Sequence, residues 1–113
     1  MPVWQKALNL GLLVYEITKD FPDDEKFGLI SDMKRAVNSI THNIAEGYGR
    51  YEPKDKTRFY KISRGSSFEL MSQSIFSHKL GFIKNENLLG ELISSSEAII
   101  KDLNALIKSI ECK

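Results

Sequence analysis

The sequence predicts an all-α fold, an antiparallel up-down-up-down four-helix bundle, and three observations point to it. Apolar residues recur at intervals of three and four along four separate segments, which is the period of a helix with a buried face. The few prolines and glycines mostly lie where these segments begin or end. The connections are short, which favours antiparallel neighbours. With 113 residues the chain fits one domain, so residues 1–113 are expected to form a single bundle.

The first helix is expected from about Val3 to Lys19. Proline disfavours a helical conformation in the residue before it, so Phe21-Pro22 ends this segment. The helix carries two apolar faces and is expected to be covered on both sides. One face comprises Trp4, Leu8, Leu12 and Tyr15, and the other comprises Leu10, Val14 and Ile17.

The second helix is expected to begin near Leu29, after three acidic residues that suit a helix start. Gly47 and Gly49 are its expected terminators, because glycine tolerates the left-handed conformation at a helix end. Its core residues are spaced three, four, three and four, as in a bundle seam. They are Ile30, Met33, Val37, Ile40 and Ile44.

The third helix is expected from Pro53 to about Leu80, with Gly81 ending it. Gly65 lies mid-helix, where glycine costs about 1 kcal/mol relative to alanine. The run 65–67 therefore predicts a close approach of another helix backbone. The expected core face is Phe59, Ile62, Ser66, Leu70 and Phe76, with Phe68, Met71 and Ile75 beside it.

The fourth helix is expected to start near Glu86 or Asn87 and has the most regular pattern. Its two apolar stripes are wider than a two-helix seam, which favours burial in a bundle together with a subunit contact. The first stripe is Leu89, Leu92, Ser96, Ile99, Leu103, Leu106 and Ile110, and the second is Ile93, Ile100 and Ile107.

Catalytic patterns are missing from the sequence, so an enzyme is the least favoured class. His42 and His78 lie on different helices, and the Glu-x-x-His pattern of bundle metal sites does not occur. No serine lies in a strand-turn-helix elbow. We therefore expect no catalytic residue, no metal site and no cofactor.

The number of cysteines and the length of the apolar runs indicate the expected cellular location. Cys112 is the single cysteine, so no internal disulfide can form, and a reducing cytoplasmic location is expected. No apolar run approaches the about 20 residues that span a bilayer, so no membrane partner is expected.

The charge distribution gives the first functional indication. Residues 1–25 hold two lysines against five acidic residues, a net −3, whereas residues 26–64 hold nine basic against four acidic residues, a net +5. Residues 65–113 hold five lysines against six acids, a net −1. All four arginines lie in the basic middle segment, interleaved with tyrosines.

The leading hypothesis is binding of RNA or DNA, because lysine and arginine contact phosphates and aromatic rings stack on unpaired bases. The alternative is a protein assembly module in which the basic segment meets the acidic segment of a neighbouring copy. An open basic surface favours the first, and burial against acidic residues favours the second. The candidate residues are Lys34, Arg35, Arg50, Arg58, Lys61 and Arg64.

The segment from Lys34 to Gly47, KRAVNSITHNIAEG, followed by Arg50, resembles a family signature. It is similar to bacterial four-helix bundle proteins first noted in intervening sequences of large-subunit ribosomal RNA genes, also labelled the S23 ribosomal protein family. The resemblance implies a ring-shaped homopentamer. It also implies accessory roles in which relatives encoded beside diversity-generating retroelements bind nucleic acid and a reverse transcriptase.

The chain departs from the family pattern at three positions. Lys34 stands where arginine is common, Asp32 where glutamine is frequent, and Ser63 where alanine is usual. Glu46 lies near the end of the second helix, where the helix dipole disfavours a carboxylate. We therefore expect Glu46 to be paired with Arg50 or with an arginine of the third helix.

Overall fold

The computed structural model describes residues 1–112, and these form four α-helices without any strand. A single turn of 3-10 helix, Asp23–Glu25, follows the first helix. The all-α class is confirmed, and the predicted bounds of each helix lie within a few residues of the observed bounds. The helices are α1 (Pro2–Thr18), α2 (Leu29–Gly49), α3 (Pro53–Lys79) and α4 (Glu86–Glu111).

Two helix ends have a clear local cause. Gly81 adopts a φ of +85°, a conformation that favours glycine, and its N–H donates to the His78 carbonyl just after α3. The Asn85 side chain accepts a hydrogen bond of 2.8 Å from the Asn87 N–H and caps the start of α4.

Side-chain contacts fix the helix directions. On α3, Ser63 donates to the Ile40 carbonyl at 2.9 Å, whereas the later Ser77 lies against the earlier Met33. Residue numbers therefore rise along α3 as they fall along α2, so the two helices are antiparallel. Each helix packs against the next in chain order and α4 packs against α1, which places α1 and α3 on a diagonal of the bundle.

The seams of α2 and α4 form the centre of the core, as the spacing predicts. From α2, Met33, Val37, Ile40 and Ile44 are buried, and Ile30 packs against them. The fourth helix contributes most of both predicted stripes, and Ile93 is half-buried outside the core cluster. Its buried residues are Leu92, Ser96, Ile99, Ile100, Leu103 and Ile107.

The predicted core face of α3 is wrong for most of its large residues. Leu70 is buried and Phe59 and Ser66 are half-buried, but Phe76 is 60% exposed and Ile62 is also exposed. The buried face instead consists mainly of small polar residues. Their hydroxyls donate hydrogen bonds to carbonyls, so burial leaves no donor without a partner. It comprises Thr57, Tyr60, Ser63, Ser67, Leu70, Ser74 and Ser77. Small side chains let α3 approach α2 and α4 closely.

In the run 65–67, Ser66 contacts Ser39 of α2 at 2.8 Å and Ser67 is buried, but Gly65 itself is not a point of close approach. A Cβ at Gly65 would meet nothing within 4 Å, whereas a Cβ at Gly47 would lie 2.6 Å from Cε1 of the Tyr60 ring. Gly47 is also not a terminator, because α2 continues through it to Gly49. Its function is to admit the buried Tyr60 ring.

The second apolar face of α1 is not covered within the chain. The face that includes Leu10, Val14 and Ile17 is buried as predicted. On the other face Leu12 is 63% exposed and Tyr15 is exposed as well. The prediction that both apolar faces of α1 are covered is therefore wrong for the single chain. Within residues 1–112, no helix combines the length and apolarity needed to cross a membrane.

We expect Gly47→Ala to lower the free energy of unfolding by about 1–3 kcal/mol, because the added methyl displaces Tyr60. The matched control is Gly65→Ala, also inside a helix but with open space at its Cβ. It should raise stability by about 0.5–1 kcal/mol through helix propensity. Urea denaturation at equal protein concentration measures both. Equal effects of the two substitutions would contradict the packing explanation.

Candidate functional site

The six predicted basic residues do not form one surface. Arg35 lies in the first half of α2 and Arg50 follows the end of that helix, about 20 Å further along its axis. Lys34 lies on the side of α2 that faces α1, whereas Lys61 and Arg64 lie on the side of α3 that faces α4. The structure therefore separates them into three groups.

The first group lies near the start of α2. The ammonium of Lys34 lies 4.7 Å from the centre of the Tyr15 ring, a cation-π contact with α1. Arg35 pairs with Asp32 at 3.1 Å on its own helix. The glutamine-to-aspartate departure noted in the sequence thus supplies the carboxylate that offsets the charge of this arginine.

The second group surrounds the turn between α2 and α3. The guanidinium groups of Arg50 and Arg58 both stack on the Phe59 ring, at 4.8 and 4.4 Å from its centre. Arg50 pairs with Glu46 at 3.0 Å, and Arg58 lies 3.9 Å from Asp55. The Phe59 ring therefore lies between these two candidate residues.

The third group connects α3 to α4. Lys61 forms an ion pair of 2.6 Å with Glu111, and Arg64 donates to the Asn104 side chain at 2.8 Å. Both partners lie 40 or more positions away in sequence, so no local pattern could have identified them. These contacts tie the two helices together.

Local partners limit how much positive charge the candidate residues present. Arg35, Arg50, Arg58 and Lys61 each face a carboxylate of the same chain. The side chains in these pairs remain substantially exposed, so each pair is worth only about 0–1 kcal/mol and can exchange for another anion. The charges are therefore offset but accessible.

Two tyrosines extend from the α2–α3 turn into solvent. Tyr51 is 95% exposed and Tyr48 is 66% exposed, whereas Tyr60 is buried against Gly47. Burial raises the pKa of the Tyr60 hydroxyl, and the nearby Tyr48 adds to the shift. Only Tyr48 and Tyr51 of the three can therefore stack on a ligand. The unpaired Lys54 lies between the turn and Arg58 in the described chain.

The signature residues of α2 build this turn. The predicted pairing of Glu46 is confirmed, with Arg50 as its partner. Asn43 donates to the Ser39 carbonyl, and Gly47 receives the Tyr60 ring. Lys56 donates to the carbonyls at the end of α2 at 3.0 and 3.2 Å, where a cation suits the helix dipole. Asn43, Glu46 and Gly47 of the signature therefore have structural roles at this turn.

The histidines do not gather ligands for a metal. His42 Nε2 lies 4.0 Å from Glu46 Oε1, which is too long for a hydrogen bond. Across residues 1–112, no group of three histidine, cysteine, aspartate or glutamate side chains is placed to hold a metal ion.

Two exposed apolar faces are the most prominent surface features. The α1 face comprises Trp4, Leu8, Leu12 and Tyr15, with Trp4 and Leu8 partly covered by α2. The α3 face comprises Phe68, Met71, Ile75 and Phe76, and Phe68 is 54% exposed. Periodicity identified the residues of both faces, but it did not distinguish a face buried in the chain from one left open.

Comparison with known proteins places this fold. The family model described as 23S rRNA-intervening sequence protein matches residues 1–105. The chain belongs to this family. A crystal structure of a protein of unknown function from the S23 ribosomal protein family of Bacteroides thetaiotaomicron is similar, with a TM-score of 0.85 and 20% identity. The match covers 94% of this chain and 98% of that one. At this identity the likeness establishes the fold alone, and no curated protein matches the sequence.

We expect Glu46→Gln to lower the free energy of unfolding at low salt by about 0.3–1 kcal/mol more than Glu16→Gln does. Both carboxylates lie near the end of a helix and pair with a basic neighbour, but the Glu16–Lys19 pair is much more exposed. At 1 M salt, where the Debye length falls to about 3 Å, the difference should shrink. Denaturation at two salt concentrations measures it, and no difference at low salt would mean that the Glu46–Arg50 pair contributes nothing.

Proposed function

We propose that this family member is a non-enzymatic bundle that works as a homo-oligomer, with a homopentamer expected from the family resemblance. The observation that carries the proposal is the pair of apolar faces left open on α1 and α3. Monomeric proteins rarely expose contiguous apolar patches of more than a few hundred Å². Self-association would bury this surface and supplement the core of a small domain.

Charge pairing within the chain argues against assembly through basic and acidic segments. The alternative hypothesis joined the basic segment of one copy to the acidic segment of another. Most candidate basic residues already face a partner within their own chain. Apolar burial is therefore the stronger driving force for association, and the charges at the rims contribute orientation.

We expect the wild-type chain to be oligomeric in multi-angle light scattering and Leu12→Glu to raise its dissociation constant at least about tenfold, because a buried carboxylate lacks compensation. The control is Phe27→Glu, which places the same charge at a side chain that is 90% exposed and lies on neither face. It should assemble as the wild type does. A wild-type chain that is monomeric at every concentration would contradict the proposal.

A second candidate function is binding of single-stranded RNA or DNA at the α2–α3 turn. It is favoured by the two exposed tyrosines beside Arg50, Lys54 and Arg58, since aromatic stacking and phosphate contacts together suit unpaired nucleic acid. Repetition of the turn in an oligomer would multiply a weak contact. In this proposal Lys34, Arg35, Lys61 and Arg64 lie outside the turn. A reverse transcriptase or other protein partner stays a prediction from the resemblance.

Arg50→Gln/Arg58→Gln should weaken binding to labelled single-stranded RNA or DNA and reduce the slope of log affinity against log salt by about 1–2. The matched control, Lys79→Gln/Lys84→Gln, removes the same charge at the opposite end of the bundle. Double-stranded probes serve as comparison, because they offer no unpaired bases for stacking. Absence of binding at low salt by folded wild-type protein would discard this function, and an equal loss in both double variants would contradict its location.

A further inference from the structure

A basic depression lies where the start of α3 meets the end of α4. Its three basic residues are spaced four and three positions apart, so they form one stripe along α3. The stripe brings Arg58, which stacks on Phe59, beside Lys61, which reaches across to α4. The depression is lined by Lys54, Thr57, Arg58, Lys61, Ile62 and Glu111.

The charge of this depression is not balanced within the described chain. Glu111 is the single carboxylate among the lining residues, and it pairs with Lys61 at 2.6 Å. Arg58 lies 3.9 Å from Asp55, which is too long for a hydrogen bond. Lys54 forms no ion pair among residues 1–112. Three basic residues therefore line the depression against one carboxylate, a net +2.

The stripe is unfavourable for the helix that carries it. The helix dipole gives the start of α3 a partial positive charge, where acidic side chains are stabilising and basic ones are not. Like charges three or four positions apart on a helix also repel each other. Asp55 is the one acidic residue in the first turn of α3. The stripe therefore does not serve the stability of α3, and a bound anion would relieve its repulsion.

We propose that this depression binds a phosphate group, which takes the place of the Glu111 carboxylate beside Lys61. A phosphate monoester carries a charge of about −1.5 to −2 at pH 7 and three acceptor oxygens, so it can contact three cations at once. A side-chain carboxylate offers only one charge. The Lys61–Glu111 pair is exposed enough to exchange for another anion.

Two sources supply such a group, inorganic phosphate and the phosphorylated end of a nucleic-acid strand. The proposal requires only the phosphate and includes Lys61, which lies outside the α2–α3 turn. It therefore stands apart from strand binding at that turn.

Titration with inorganic phosphate tests the site in the full chain, labelled with 15N and followed by the NMR shifts of its amides. Chloride keeps the ionic strength constant, so that screening does not change during the titration. We expect saturable shifts centred on residues 54–62 and on the end of α4. Lys54→Gln/Lys61→Gln should lower the phosphate affinity at least about tenfold, because it removes two charge-assisted contacts.

The matched control for this variant is Lys79→Gln/Lys84→Gln, which removes the same charge at the opposite end of the bundle. It should bind phosphate as the wild type does. All four lysines are exposed, so both variants should fold, and the dispersion of their amide signals checks this.

Glu111→Gln tests whether the carboxylate and the phosphate compete. It removes the competitor, so the phosphate affinity should rise about two- to fivefold. Glu97→Gln is the control, because it removes the same charge from an exposed position of the same helix outside the depression. The proposal is overturned if Glu111→Gln does not raise the affinity, if both double lysine variants lose it equally, or if the wild type shows no saturable shifts.

Oligonucleotides with a 5′-phosphate or a 5′-hydroxyl then identify the source. If the 5′-phosphate strengthens binding to the wild type but not to Lys54→Gln/Lys61→Gln, the depression takes the end of a strand. If both oligonucleotides bind alike while inorganic phosphate still binds, the ligand is free phosphate. Strand binding that depends on Arg50 and Arg58 without phosphate shifts at residues 54–62 would overturn this proposal and leave the second candidate function standing.

Discussion

The close packing of α3 against its neighbours is the contact on which the rest of the bundle depends. Four buried serines, Ser63, Ser67, Ser74 and Ser77, allow α3 to approach α2 and α4, and their hydroxyls bond to helix carbonyls. Tyr60 and Leu70 are the large side chains that share this buried face with the serines. Phe68, Ile75 and Phe76 lie on the outer side of α3 and are exposed.

The buried face of a helix could be predicted from the sequence where the buried residues are the apolar ones. The prediction was wrong where small polar residues are buried and large apolar residues are exposed. The seams of α2 and α4 could be predicted because they are aliphatic and regularly spaced. The buried face of α3 could not be predicted in this way, because four of its residues are serines. Hydropathy favours burial of Phe76 over burial of a serine. Gly47 was interpreted as a terminator because only the three-dimensional structure reveals the Tyr60 ring beside it. Periodicity gives the direction of a face, but not which of two faces meets the core.

The contacts of the candidate residues also differ in how far they could be predicted from the sequence. The Glu46–Arg50 pair could be predicted, because Arg50 follows Glu46 by four positions at the end of α2, where the helix dipole disfavours an unpaired carboxylate. The Lys61–Glu111 and Arg64–Asn104 contacts could not, because they depend on how α3 and α4 align. Charge counted along the sequence therefore overstated the basic surface. What the sequence indicated as one cluster is divided by the fold into three groups with different partners.

The open apolar faces and the exposed aromatic and basic side chains occupy different parts of the bundle. The apolar faces lie along the sides of the bundle on α1 and α3, whereas Tyr48, Tyr51 and Arg50 lie at one end, where α2 turns into α3. A ring built through the sides would leave the ends of every copy uncovered. Every copy of a closed ring would present its turn in an equivalent position, because rotation about the ring axis relates the copies. Weak binding at a single turn, as proposed, would then be repeated around the ring and gain avidity. Within one copy, Glu46 and Gly47 of the family signature shape the α2–α3 turn through the pair with Arg50 and the contact with Tyr60.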